Sequence, residues 1–123
     1  MTYGVDRQLV SCTIPSGASL SDEVNVGSRT IVGVIMPAGW DAAGITFQAL
    51  VREPSANPKV PVFGNVQDES GTEFTITTPI QDEYVAITAT KLVALGRVKV
   101  RSGTAGAAVN QTANRTITLV LAG

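Results

Sequence analysis

The chain has 123 residues, with 9 Lys plus Arg against 10 Asp plus Glu, no histidine and a single cysteine. A domain of this length buries roughly two thirds of the surface its unfolded chain exposes, and a formal net charge of −1 creates no long-range field toward polyanions or membranes. Without histidine and with only Cys12, the usual zinc ligand sets, a disulfide within the chain and Ser-His or Cys-His catalysis are excluded.

The opening MTYGVDRQLV has neither the charged and apolar regions nor the cleavage site of a secretory leader. No apolar run approaches the roughly 20 residues of a spanning helix. These features predict a protein made in a cytosol, where Asn-x-Thr triplets at Asn110 and Asn114 are not glycosylated. Residues 1–8 are expected to form an N-terminal arm, with Tyr3, Val5 and Arg7 as candidate contacts, ahead of one domain over 9–123.

The first strand is predicted at LVSCTI, residues 9–14, where Cys12 reads as a small buried hydrophobe or, less simply, a reactive thiol. The turn Pro15-Ser16-Gly17 and the segment ASLSD lead to a second strand at EVNV, 23–26. In RTIVGVIM, 29–36, Val32, Val34 and Met36 compete with Ile31, Gly33 and Ile35, so this strand is expected to be covered on both faces, one cover being a partner subunit. Trp40 follows in a turn, either capping the core or serving as an interface or sugar-stacking platform. Asp41-Ala42-Ala43 is read as a short turn.

ITFQALV, 45–51, alternates so that Ile45, Phe47, Ala49 and Val51 face inward and Thr46, Gln48 and Leu50 outward. The stretch EPSANPKVPVFGNV, 53–66, is proline-rich and reads as an exposed arm or long loop, with Pro54, Pro58 and Lys59 as candidate contacts. EFTIT, 73–77, is predicted as a strand with Phe74 and Ile76 inward and Glu73, Thr75 and Thr77 in water, and EYVAIT, 83–88, as another. One helical turn is expected over 88–95, ended by Gly96. RVKVR, 97–101, places Val98 and Val100 in the core and Arg97, Lys99 and Arg101 outside. RTITLVL, 115–121, adds Ile117, Leu119 and Leu121 to the core. Short runs of this kind, separated by turn formers, predict an all-β fold: a single antiparallel β-sandwich of jelly-roll type with about eight strands and little helix.

The same order of residues offers little chemistry. Neighbours on a strand point to opposite faces, so Asp22-Glu23, Asp68-Glu69 and Asp82-Glu83 do not converge on one proton or ion. DESGTE, 68–73, lacks the carboxylate spacing of a calcium loop. Gly103-Thr104-Ala105-Gly106 leads into Ala-Ala-Val, not the Lys-Ser or Lys-Thr of a phosphate cradle. The row Arg97, Lys99, Arg101 has no aromatics interleaved for base stacking, and reads as edge protection or as an interface toward an acidic neighbour. No catalytic residue, cofactor, metal site, nucleic-acid partner or membrane partner is expected.

IPSGASLS, IVGVIMPAGWDAAGITFQAL, the GTEFTI segment and LGRVKVRSGTAGAAVNQTANRTITLVLA together resemble a family of small tailed-bacteriophage virion proteins that decorate or cement capsids. The shared pattern, MPAxW, xAAGxTFQ, VRSGT and NQxxxRxxxLVL, spans about residues 12–122; the proline-rich 51–63 departs from it. The resemblance implies a non-enzymatic β-sandwich on the virion surface, made in the bacterial host cytoplasm, whose partners are the major capsid protein and like subunits, as homodimer or homotrimer. In the alternative, a carbohydrate- or receptor-binding sandwich of a head fibre or tail part, Trp40 with Tyr3 or Tyr84 would supply stacking surfaces.

Overall fold

The structure, a computed structural model, describes residues 7–53 and 60–123. Among them are eight strands and no helix: β1 (Gln8–Ile14), β2 (Val24–Gly27), β3 (Thr30–Ile35), β4 (Ile45–Arg52), β5 (Val62–Asn65), β6 (Tyr84–Ala86), β7 (Gly96–Ser102) and β8 (Arg115–Ala122). They form two antiparallel sheets of four, ordered β1-β8-β3-β6 and β2-β7-β4-β5. The first strand begins at Gln8, inside the segment read as an arm, because Gln8 already pairs with Leu121.

The core lies between the sheets, as alternation requires. Cys12 and Ile14 of β1, Ile117 and Leu119 of β8, and Val98 and Val100 of β7 are all buried there with Phe47 of β4. Phe47 is fully enclosed and meets the ring of Phe74 at 6.0 Å between centroids; enclosing a side chain of this size contributes roughly 1.5–3 kcal/mol.

Two bulges decide faces that alternation left unresolved. In β3 the register against β8 shifts between Ile31 and Gly33, so Ile31, Val34 and Met36 all reach the core, while Val32 and Ile35 stay half-buried on the outside. Against β5, β4 shifts between Leu50 and Arg52, and Val51, expected inside, is 64% exposed. Thr46, expected in water, is fully buried: it sits on the outer face, but under Arg101.

Residues 73–77 are not a strand. Phe74 bonds Val66 and Ile76 bonds Ile45 in both directions, so the segment crosses from one partner to the next, touching each at a single bridge. The strand that replaces it is β5, within the proline-rich stretch, where Pro61 stands just ahead of an edge strand and no sheet bond is lost to it. The segment 88–95 holds one hydrogen-bonded turn, the Lys91 amide donating to the Thr88 carbonyl at 3.1 Å, but no helix, because the backbone after it is engaged elsewhere. The Leu92 carbonyl accepts the Ile31 amide at 3.0 Å and the Ala94 amide donates to Arg29 at 3.1 Å. Gly96, with φ 76°, opens β7 instead of closing a helix.

Candidate functional site

The three cations of β7 stand on the outer face of the second sheet, and each is engaged by the chain itself. Arg97 forks onto Glu23, Nε to Oε2 at 2.7 Å and Nη2 to Oε1 at 2.8 Å, and its Nη1 reaches Glu53 at 2.9 Å. The hydrogen bonds from Arg97 hold the Glu23 carboxyl below its ordinary range, and those from Glu23 raise the guanidinium's pKa. Lys99 Nζ lies 4.5 Å from the centre of the Phe63 ring, a cation–π contact. Because Glu53 ends β4's side of the proline-rich stretch and Phe63 begins β5's, the cation row grips both stems of that loop.

Arg101 is only 7% exposed, which corrects its reading as a solvent-facing cation. Its Nε donates to Thr46 Oγ1 at 3.0 Å, and its Nη2 donates to Asn65 Oδ1 at 2.9 Å and to the Glu73 carboxylate. Thr46 in turn donates to the Gly103 carbonyl at 2.8 Å. Glu73, expected in water, is therefore the counter-ion of a covered guanidinium.

A second polar cluster closes one end of the sandwich. Trp40 is 8% exposed and its Nε1–H donates to the Ala43 carbonyl at 3.1 Å, so the ring belongs to the core and leaves no face open for stacking. Gln111, fully buried, accepts from the Asp41 amide at 2.9 Å and from Arg115 Nε at 3.2 Å, and donates to Ser102 Oγ at 2.7 Å and the Asp41 carbonyl at 3.2 Å. The Asp41 carboxylate accepts the Thr112 amide at 2.6 Å and its hydroxyl, with Arg115 at 3.6 Å. These bonds, the Thr112 amide first, hold Asp41 below its ordinary pKa. Gln111 and Arg115 enter the sequence reading only as fixed letters of the NQxxxR pattern: nothing in NQTANR marks an amide that will be enclosed.

The outer face of the first sheet is of another kind. Register places Leu9, Ser11 and Thr13 of β1, Thr116, Thr118 and Val120 of β8, Gly33 and Ile35 of β3, and Tyr84 and Ala86 of β6 on it, and none of these is charged. Ser11 and Thr118 share a hydrogen bond of 3.2 Å, and Thr13 and Thr116 one of 3.1 Å, so the hydroxyls satisfy one another across the strands. Tyr84 lies over Gly33, where any β-carbon would run into its ring, and stays 49% exposed. Leu9 is 56% exposed.

Of the other residues named from sequence, Arg7 is exposed, and Tyr3, Val5, Pro54, Pro58 and Lys59 lie outside the described residues. Cys12 is buried and its burial pushes the thiol up to about 11. Of the acidic pairs, Asp22 accepts the Thr13 amide at 2.9 Å, Glu23 pairs with Arg97, and Asp68 accepts the amides of Ser70 and Thr72 at 2.9 and 3.0 Å. An open polar hollow of about 320 Å³ is lined by Gln67, Asp68, Glu69, Thr90 and Lys91. Among the described residues no three His, Cys, Asp or Glu side chains stand together as a metal ligand set. What the geometry assembles is two outer sheet faces of different character and two internal polar clamps, and the chain matches no protein-family model, no curated protein and no solved structure.

Proposed function

We propose that this chain is a structural virion protein of a tailed bacteriophage: a capsid decoration, or cement, protein that binds the outside of the major capsid protein shell and stabilises it. The observation that carries the proposal is the sheet face running from Leu9 to Tyr84 without one charged side chain, while the opposite face has its Arg97 and Arg101 charges paired internally. A cement needs area, shape and satisfied hydrogen bonds, not a reactive centre, and a neutral face can be buried without stranding a charge.

The resemblance adds support from a second direction. Its motifs meet in space: Asp41, which follows MPAGW, lies with Gln111 and Arg115 of NQTANR, and Thr46 of ITFQ lies with Arg101 of VRSGT and Glu73 of GTE. We read the sandwich as a jelly roll. The pairings β1 with β8, β2 with β7, β3 with β6 and β4 with β5 support that winding, since they fold one long antiparallel ribbon into two sheets.

On this reading the partners are the major capsid protein and like subunits, and the protein acts on the capsid surface after synthesis in the bacterial cytoplasm. It calls for no cofactor, nucleic acid or membrane. The carbohydrate-binding alternative loses its main platform with the enclosure of Trp40. Copy number tests the proposal: quantitative mass spectrometry of purified virions should give on the order of hundreds of copies, in a symmetric ratio to the major capsid protein. A dozen copies or fewer would place the chain in a tail or portal and end the cement reading.

A further inference from the structure

Two four-stranded sheets have four edge strands, and three of these carry a device against unwanted pairing. β6 has 3 residues, β2 has 4 and a register irregularity, and β5 has 4 and follows Pro61. β1 carries none: its 7 residues, QLVSCTI, contain no charge, proline or bulge. In an antiparallel ladder the backbone groups of alternate residues point to opposite sides. Thr13 directs its amide and carbonyl away from β8, to Asp22 Oδ1 at 2.9 Å and the Asp22 amide at 3.3 Å. By the same alternation Leu9 and Ser11 direct theirs to the open side, where nothing among the described residues receives them. Gln8, Leu9 and Ser11 are exposed.

We infer that this edge is a dimer contact in which β1 pairs antiparallel with β1 of a second copy about a twofold axis. One register fits. With Leu9 opposite Ser11 of the partner subunit, and the reverse, Val10 lies on the axis and all four open backbone groups of each strand are satisfied. The two Leu9 side chains become diagonal neighbours on the neutral outer face, within reach of each other. Asp22 closes the edge at Thr13, and β1 begins at Gln8, so the same register brings Arg7 of each copy against Asp22 of the other. Arg7 is exposed and makes no ion pair among the described residues, and Asp22 is likewise exposed. The complementary charges at the two ends of an uncharged strand favour a second copy as occupant over an unrelated peptide.

The dimer supplies the like-subunit contact of the cement reading and rests on that reading in this respect alone. Its test uses the free full chain, whereas the cement reading is tested on particles, so each can fail without the other. Sedimentation over a roughly hundredfold range of micromolar concentrations should show a monomer–dimer equilibrium. Leu9→Pro, which removes an amide that no bond among the described residues uses, and Leu9→Lys, which keeps it but adds like charges beside the axis, should each sediment as a monomer that is folded by circular dichroism. Arg7→Gln and Asp22→Asn, the latter keeping the acceptor for Thr13, should each weaken the dimer about fivefold, and together no more than either alone, because two modest surface pairs are lost in each case. A wild-type monomer throughout, an oligomer indifferent to both Leu9 variants, additive effects of the two charge variants, or dimerisation seen only after residues 1–6 are deleted would each overturn the inference.

Discussion

Arg101 on β7 and Glu73 on the crossing segment after β5 form an ion pair whose side chains retain only 9% and 20% of their exposure. The guanidinium also donates to Thr46 and Asn65, so the pair belongs to a closed group joining β4, β5, β7 and the crossing segment. Removing one partner of a fully buried pair costs about 3–5 kcal/mol. For Arg101→Met, with Glu73 still reached by water, the expected loss is about 2–3 kcal/mol. Glu73→Gln keeps an acceptor and should cost about 1 kcal/mol. Arg101→Glu places a second carboxylate in the group and should abolish folding. A urea midpoint nearer the wild type for Glu73→Gln than for Arg101→Met, with no cooperative transition for Arg101→Glu, would support the clamp, and equal midpoints for the first two would not.

Acid should loosen the fold at two identified places. Asp41, held down chiefly by the Thr112 amide, and Glu23, held down chiefly by Arg97, have folded pKa values below their ordinary 3.8 and 4.5. The unfolded chain therefore binds protons at these groups first as pH falls. Their contribution is complete above pH 4.5 and is lost as pH drops from those ordinary values through the folded ones. The urea midpoint of the wild type should be flat near neutrality and then fall. In a Glu23→Gln, Asp41→Asn double variant the fall should be shallower from a lower plateau; parallel curves would refute the assignment.

Cys12 is expected to be silent in the folded protein. Its thiol is 2% exposed and pushed up to about 11, so almost no thiolate exists at mildly alkaline pH. Labelling by an aromatic disulfide reagent should be negligible without denaturant and should follow the unfolding curve in urea. Rapid labelling of the native protein would show that β1 opens on its own.

Gly103 and Gly106, three residues apart, should respond unequally to the same substitution. Gly103 has φ 89°, and a β-carbon there would meet the Ala107 carbonyl and stand 2.8 Å from the Val109 nitrogen, whereas nothing lies within 4 Å of one on Gly106. Gly103→Ala should lose about 2 kcal/mol or more, and Gly106→Ala should change stability by no more than about 0.5 kcal/mol. Similar thermal midpoints for the two variants would contradict the turn geometry.

Alternation alone located most of the sheets, because strands that are buried on one side must present apolar residues at every second position. β1, β7 and β8 show this most plainly: Cys12, Val98 and Ile117 face the core as the pattern requires. The pattern failed where a single inserted residue reset it, as at Val51, or where a polar face was covered by another side chain, as at Thr46. It also failed at β5, since prolines signal loops but are harmless at the start of an edge strand. Of the candidate site, the cation row was legible as one face of β7, yet its counter-ions were not. Glu23, Glu53 and Glu73 reach it from residues 74, 44 and 28 positions away in sequence, and no local signal encodes that.

β8 lies between β1 and β3, although it is synthesised after both. The first sheet therefore cannot assemble in the order in which it is made. Until residues 115–122 leave the ribosome, β1 and β3 wait with their inner edges unpaired, and the sheet completes in one step when its middle strand arrives. A released chain that stops just short of Arg115 should thus be a poor substrate for folding and a good one for proteases, while one that runs through Ala122 should escape both fates.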